Sequence, residues 1–377
     1  MKTKLKVVRI LAIVGLLAGR LALFNAASET AASQQLEVIA SGLDNPRGLA
    51  FGPEGALYVV EAGRGGTGPC TDWELFGDIL CYGPTGAVTR VWRGSQTRIA
   101  TDLSSLAHPD GGFAFGPHDI SFHGRGDAYV TVGTCTPSPT PEALSGSCGK
   151  LIRLPASGQW REVADLFGYE ILNNPDGANE GEHNPYGVLA LAGERIATDA
   201  AWNDLLRIAP NGSISTLAVF PQRFVEYPPG SGAQVLMDAV PTSVARGPDG
   251  AYYVGQLTGF PFPVGDASVY RVPAQGGVPE VFEGGFTGII DVTFGPDGSL
   301  YVLELAKNGL LAGFEGGDWS GALIRVAPDG TRSEIAPGAL WAPGGVALGV
   351  ALGDDGAIYV TNNSIYSGTG QVLRIGP

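Results

Sequence analysis

The sequence predicts an all-β fold, a six-bladed β-propeller with four-stranded blades, and three observations carry that expectation. The chain of 377 residues holds 58 glycines and 27 prolines but only 16% charged residues. That balance suits a turn-rich β protein better than a helical one. A turn glycine followed three residues later by an aromatic or aliphatic residue recurs six times, as Gly55/Tyr58, Gly126/Tyr129, Gly193/Ile196, Gly250/Tyr253, Gly298/Tyr301 and Gly356/Tyr359. Lastly, the orphan stretch QLEVIASGL (35–43) stands at one end of the repeat array, and the final repeat, at the other end, lacks its fourth strand.

The first element is not part of the repeats. Lys2, Lys4, Lys6 and Arg9 precede the apolar run ILAIVGLLAG (10–19), and small residues follow in NAASETAAS (25–33). The run is shorter than the roughly 20 residues of a membrane span. Residues 1–27 therefore read as a secretory signal peptide, with an uncleaved anchor as the alternative. Their removal takes away five cations and no acid, leaving 18 basic against 37 acidic residues, a net charge of −19. Phosphate backbones and anionic lipid surfaces repel such a chain. The expectation is a secreted or periplasmic monomer, free of the membrane once the signal is cleaved, with no nucleic acid partner. A small molecule or a protein, neutral or basic, or a cation fits the field.

Each repeat reads as strands a to d. Strand a enters at PRGLAF, turns through GPEG and returns as strand b, ALYVVE. A second landmark marks strand c: Arg90, Arg153, Arg207, Arg271, Arg325 and Arg374 hold the same place in six copies. So regular a ladder reads as an inter-strand structural residue. Strand d is a short run such as TRIATDL (97–103) or SISTLAVF (213–220). The turns use Pro, Asp, Asn and Gly, which supply the dihedrals that tight hairpins need. Four-stranded units repeated radially are propeller blades. An open ring would leave unpaired edges, so residues 36–41 are expected to complete the last blade, giving one domain over residues 34–377.

In this topology the a–b and c–d turns share one face, and they are short throughout. The b–c and d–a loops share the other face and are long, as at 62–86, 133–148, 167–183, 221–240 and 306–320. Function sits on loops held by a rigid scaffold, so the long-loop face is the candidate working face. Trp73, Phe76, Tyr82, Phe220, Phe224, Tyr227, Phe260 and Phe262 lie there, either as ligand contacts or as a cap over the ring. Four cysteines allow three connectivities. Both pairs fall in equivalent b–c loops, so the local bridges Cys70–Cys81 and Cys135–Cys148 are expected. A zinc site is the alternative, although the spacings are not of the C-x₂-C type.

Catalytic signatures are mostly absent: there is no G-x-S-x-G, H-E-x-x-H, P-loop or Rossmann fingerprint. Two rings of residues stand out instead. Near the top of strand a stand Gly48, Asp119, Gly187, Ser243, Asp291 and Gly349, with Arg47 and His118 one row above. At the top of strand b stand Glu61, Val132, Asp199, Gln256, Glu304 and Asn362. Arg47, His118, Asp119, Ser243, Asp291 and His183 are the candidate ligand-binding residues of the channel mouth. Oxygen-rich rings suit a hard cation, so Asp119, Asp291, Glu61, Asp199 and Glu304 are candidate ligands for calcium or another divalent cation. Glu180, Glu182, His183 and Asn184 add acceptors near the same mouth. The alternative for the strand b ring is structural, with the side chains bonding backbone at the b–c corner.

The stretch SGLDNPRGLAFGPEGALYVVEAGRGG (41–66), with NPYGVLALAGERIATDAAWNDLLRIAPNG (184–212) and GPDGSLYVLELA, resembles the ScyD/ScyE family. Those are exported bacterial propellers within the NHL and SMP-30/gluconolactonase-like group, named for a cyanobacterial scytonemin pigment gene cluster. The resemblance covers essentially the whole mature chain. It implies fold and export, and a ligand- or partner-binding module with no agreed catalytic activity. The SMP-30/gluconolactonase side of the resemblance implies the rival, a metal-dependent lactonase or hydrolase working through a channel-mouth cation and an activated water. A quinone-dependent sugar dehydrogenase relative is a third reading, but its histidine-arginine cofactor constellation is not identifiable.

Overall fold

A computed structural model describes residues 36–73, 78–133, 146–177, 183–338, 340 and 347–376. It is a six-bladed β-propeller of antiparallel sheets. Blade one contains β2 (Pro46–Phe51), β3 (Leu57–Glu61), β5 (Asp78–Trp92) and β6 (Ser95–Ala107), with β4 (Cys70–Trp73) added beside β5. Blade two contains β7 (Pro117–Phe122), β8 (Ala128–Val132), β9 (Lys150–Leu154) and β10 (Arg161–Asp165). Blade three contains β11 (Pro185–Leu191), β12 (Glu194–Asp199), β13 (Asp204–Ile208) and β14 (Ile214–Val219). Blade four contains β17 (Pro241–Arg246), β18 (Tyr252–Gln256), β19 (Ala267–Val272) and β20 (Glu280–Phe286). Blade five contains β21 (Ile289–Phe294), β22 (Leu300–Glu304), β23 (Ala322–Val326) and β24 (Arg332–Ile335). Blade six contains β25 (Val350–Leu352), β26 (Ile358–Asn362) and β27 (Gly370–Ile375), and its outer strand is β1 (Leu36–Leu43). β1 runs antiparallel to β27, from Leu36 opposite Ile375 to Leu43 opposite Gly370. The first strands touch in cyclic order β2, β7, β11, β17, β21, β25 and back to β2.

The two sequence landmarks meet across strands b and c. Tyr58 lies opposite Arg90, Tyr129 opposite Arg153, Ile196 opposite Arg207, Tyr253 opposite Arg271, Tyr301 opposite Arg325 and Tyr359 opposite Arg374. Each arginine then pairs with the acidic residue of its own a–b turn: Glu54, Asp127, Glu194, Asp249, Asp297 or Asp355, at 2.5–3.0 Å. These pairs are water-exposed and worth about 0–1 kcal/mol each. Their use is geometric, tying the hairpin tip to strand c in one register. Five landmark glycines hold the left-handed conformation, with φ from 76° to 81°. In blade two Gly124, at φ 57°, takes that place instead of Gly126, which moves the turn by two residues.

The long-loop face is more ordered than its sequence suggests. The loop at 62–86 contains β4 and the first half of β5, in which Cys70 lies directly opposite Cys81 and is bonded to it. A loop of this size gains on the order of 3 kcal/mol from the bridge in the chain-entropy model. Cys148 is buried, and its expected partner Cys135 lies outside the described residues. The loop at 221–240 contains a hairpin of β15 (Arg223–Glu226) and β16 (Gln234–Met237). Helix α1 (Leu166–Asn173) follows blade two, and helix α2 (Leu310–Gly316) sits between β22 and β23. The Asp165 side chain caps α1 by accepting from the Gly168 amide, and Asn174 ends it at φ 44°.

Around the channel the first strands leave almost no room. A Cβ on Gly48 would lie 2.2 Å from the Asp119 carboxylate and 2.9 Å from Asp119 Cα. A Cβ on Gly187 would lie 2.9 Å from Ser243 Cα, and one on Gly349 would lie 2.6 Å from the Arg47 carbonyl. Gly48→Ala should therefore cost about 1–3 kcal/mol by overpacking, read as a lower denaturation midpoint with an unchanged slope. Removal of residues 36–41 should strip β27 of its neighbour and lower Tm by roughly 10 °C or cause aggregation. A deletion ending at residue 33 should leave Tm unchanged.

Candidate functional site

The second position of each first strand faces the long-loop mouth of the channel. Around the ring this row is Arg47, His118, Tyr186, Thr242 and Ile290, with Leu348 just before β25. Blades one to three thus bring polar and aromatic groups, and blades four to six bring a hydroxyl and two aliphatic side chains. Over the apolar half, Phe113, Leu257, Phe262 and Trp319 pack against Ile290, Leu310 and Leu348. Trp319 also meets Phe314 edge-on at 4.8 Å.

Arg47 is buried, and its guanidinium donates to the carbonyls of Ser364 and Ala114. Burial lowers its pKa to about 10, so it remains a cation at neutral pH. His118 stands beside it, 2% exposed, with neither ring nitrogen hydrogen-bonded among the described residues. Burial, then the Arg47 charge, pushes the imidazole well below its usual pKa, so it is neutral. Its ring meets Tyr186 edge-on at 4.3 Å. A neutral imidazole holds one donor and one acceptor, and here both are unengaged.

One row deeper are Asp119, Ser243 and Asp291. Asp119 accepts from its neighbour Ile120 and from the Val188 amide of blade three, both at 2.8 Å. Asp291 does the same with Val292 and with Val350 of blade six, also at 2.8 Å. Each carboxylate stitches its blade to the next. Both keep some access to water along the channel, yet protein walls them in on the sides. That desolvation pushes Asp119 up to about 7. It raises Asp291 further above the carboxylate range, with the Asp119 charge as the second cause. Arg47 forms no described ion pair with either acid. The Ser243 hydroxyl is buried and without a hydrogen-bond partner among the described residues.

The strand b ring behaves differently. Glu61 accepts from the Asp44 amide at 2.7 Å and from Arg98 at 2.6 Å. Asp199 accepts from the Asn184 amide at 2.9 Å, and Glu304 from the Thr287 amide at 2.8 Å. In all three blades the carboxylate thus holds the loop entering its own strand a. Burial raises Asp199 to about 6 and also raises Glu304. These three carboxylates are held apart by their blades, and among the described residues no group of three or more His, Cys, Asp or Glu is placed to hold a metal. His183 lies away from the first row, against Phe167 of α1 at 4.0 Å, and burial lowers its pKa to about 3. Glu180 and Glu182 lie outside the described residues.

Three residues of these buried groups carry no sequence signal of the kind used above. Tyr186 belongs to the mouth row, but its neighbours in that row share no residue type. Glu170 and Asp204 are completely buried beside Asp199, and only the fold of α1 onto blade three brings them there.

No family model matches the chain, and no curated protein matches it. Among solved structures it is similar to a glucose dehydrogenase-like oxidoreductase from Thermus thermophilus, at 19% identity and TM-score 0.54, over 91% of this chain and 99% of that one. It is also similar to a gluconolactonase-like protein, at 14% identity and TM-score 0.51, over 91% and 93% of the two chains. A third is the calcium-binding protein regucalcin from Agrobacterium tumefaciens, at 15% identity and TM-score 0.50, over 92% and 93%. These similarities show the fold, a six-bladed β-propeller. No described helix is long and apolar enough to cross a membrane.

The channel acids give a signed pH dependence. A carboxyl whose folded pKa is raised stabilises the fold below its unfolded pKa, and that stability is lost as pH rises through the folded value. For Asp119 the loss begins near pH 4 and continues through about 7, and the more strongly raised Asp291 extends it in the same direction. Tm should therefore fall as pH rises from roughly 4 to 8. Asp291→Asn removes one titration and relieves Asp119, so its Tm should be lower at acid pH, where an amide accepts one fewer backbone N–H, but flatter with pH.

Proposed function

We propose that this chain works as an exported ligand- or partner-binding propeller of the ScyD/ScyE kind, with its site at the long-loop mouth. The observation that carries the reading is His118, buried beside Arg47 and Tyr186, facing an apolar half-ring and with neither nitrogen hydrogen-bonded among the described residues. A buried polar group without a partner costs free energy, and a ligand group that bonds it recovers that cost. The surface around the mouth agrees. Phe224, Leu236, Phe260, Val264 and Phe314 are exposed apolar side chains on this face, whereas in the described turns of the opposite face Val278 is the one large exposed apolar side chain. Contiguous exposed apolar surface marks interaction sites.

The ligand the mouth suits is neutral or cationic overall, with an apolar body for the half-ring at Ile290 and Leu348 and a hydrogen-bonding end for His118. A groove of about 540 Å³ between β6 and the turn at 157–161 is an open trough on the outer rim. Its Arg98 is already committed to Glu61 and Asp44. The binding reading is favoured over a metal-dependent lactonase because both oxygens of Asp119 and of Asp291 already accept backbone amides, one of each from the adjoining blade.

A thermal-shift screen of neutral and cationic amphiphiles tests this. Compounds that raise Tm should lose at least roughly tenfold in affinity, about 1.4 kcal/mol, with His118→Ala or Trp319→Ala, and should bind Asp329→Asn, on the opposite face, unchanged. Hits indifferent to both mouth changes, or metal-dependent hydrolysis of lactones by the purified protein, would overturn the reading.

A further inference from the structure

The buried acids beside blade three form a second, off-axis site. The turn between β12 and β13 presents Asp199 and Asp204, both fully buried, and the loop after α1 presents Asp176 nearby. Glu170 enters this group from a separate element, the inner side of α1, and is also fully buried. Neither Glu170 oxygen faces a hydrogen-bond donor among the described residues, and the same holds for both oxygens of Asp204 and for Oδ2 of Asp199. Instead the Glu170 and Asp204 carboxyls lie within hydrogen-bonding reach of each other. Among the described residues no ion pair reaches Glu170, Asp199 or Asp204. The side-chain amide of Asn203 donates instead to Asp176 at 3.2 Å and to Asp238 at 3.3 Å.

Five carboxylate oxygens from three buried side chains, with no described donor other than a proton shared between Glu170 and Asp204 and no cation among them, need compensation. We propose that Glu170, Asp199 and Asp204 bind a hard divalent cation of the calcium class, which braces α1 against the b–c corner of blade three. The donor set is all oxygen, which selects calcium, magnesium or manganese over zinc or copper. Complete burial leaves little space for retained water, and this favours calcium over magnesium, which keeps several waters. The three groups are not gathered at ligand distance of one point in this structure, so rotation of the side chains onto the ion is part of the binding event. The Asn184 amide held by Asp199 leads straight into β11 and Tyr186, so the cation would stiffen one wall of the mouth. The site is separate from the mouth and stands or falls independently of the ligand-binding reading.

The test starts from full-length protein treated with a chelator and dialysed, with calcium chloride alone as the probe. Titration should show one ion bound per chain and a saturable rise in Tm. Glu170→Gln with Asp204→Asn should weaken calcium binding at least roughly 100-fold while keeping, or raising, the Tm of the metal-free protein, since it removes a repulsive pair. Asp119→Asn with Asp291→Asn should leave calcium affinity unchanged. Three results would overturn the proposal: no saturable response to calcium, magnesium or manganese; a calcium response that survives in the Glu170/Asp204 variant; or one lost only in the Asp119/Asp291 variant. Should the Glu170/Asp204 variant not fold, Asp199→Asn alone is expected to lower calcium affinity at least roughly tenfold, and an unchanged affinity there would equally sink it.

Discussion

At the third position of the six first strands, side chains from neighbouring blades compete for the same volume. Gly48 leaves space that Asp119 fills, Gly187 leaves space for Ser243, and Gly349 lets the backbone at Arg47 and Gly48 approach. Any side chain larger than hydrogen on the yielding strand would push two blades apart, and because the ring is cyclic the strain would pass to every other interface. This crowding sets what the channel can contain. A carboxylate here cannot reach bulk water easily, and bonding the next blade compensates it. Asp119 and Asp291 bond that blade through the amides of Val188 and Val350, and Thr242 does so through the Ile289 carbonyl.

The same constraint relaxes one row up, where the strands diverge toward the long loops. There the side chains can be large, and the ring divides into a half with Arg47, His118 and Tyr186 and a half with Ile290 and Leu348. Arg47 illustrates how the mouth is held. Its charge is satisfied by two loop carbonyls rather than by the acids beneath it, so it fixes the loops at 108–116 and 363–369 together. His118 then feels a fixed positive charge and a dry environment, and both favour its neutral form.

The repeat made the fold legible. Glycine, tyrosine and arginine recur because each occupies a position that backbone geometry imposes: a left-handed turn, a cross-strand partner and an ion pair to the turn acid. The carboxylate ring on strand b was visible as a pattern, but a pattern of acids does not say whether they face one another or the backbone. Glu61, Asp199 and Glu304 face the backbone of the loops that enter their own blades. The mouth itself was half visible. Arg47, His118 and Asp119 stood out as unlike their repeat equivalents, whereas Tyr186, an aromatic beside a proline, looked like any strand residue. Glu170 was hidden more deeply, because DLFGYEILNN follows a strand d and its helical fold is fixed by the Asp165 cap and by packing of Leu166 into blade two rather than by a long amphipathic period.

Charge explains why the interior acids have so few partners. Of the 18 basic residues between 28 and 377, twelve are held in ion pairs among the described residues, at or near the surface. Six of these are the strand c arginines, which geometry commits to the turn acids. Arg47 is engaged with carbonyls, and among the described residues none of the other five forms an ion pair with a carboxylate at the channel or beneath α1. A buried acid without a cation has three recourses: backbone amides, a proton, or something brought from outside. Asp119, Asp291 and Asp199 use amides and are pushed toward the neutral form. Glu170 and Asp204 have no amide to use among the described residues. The arrangement that fixes the blades therefore leaves the acids nearest the mouth open to compensation by protons and cations.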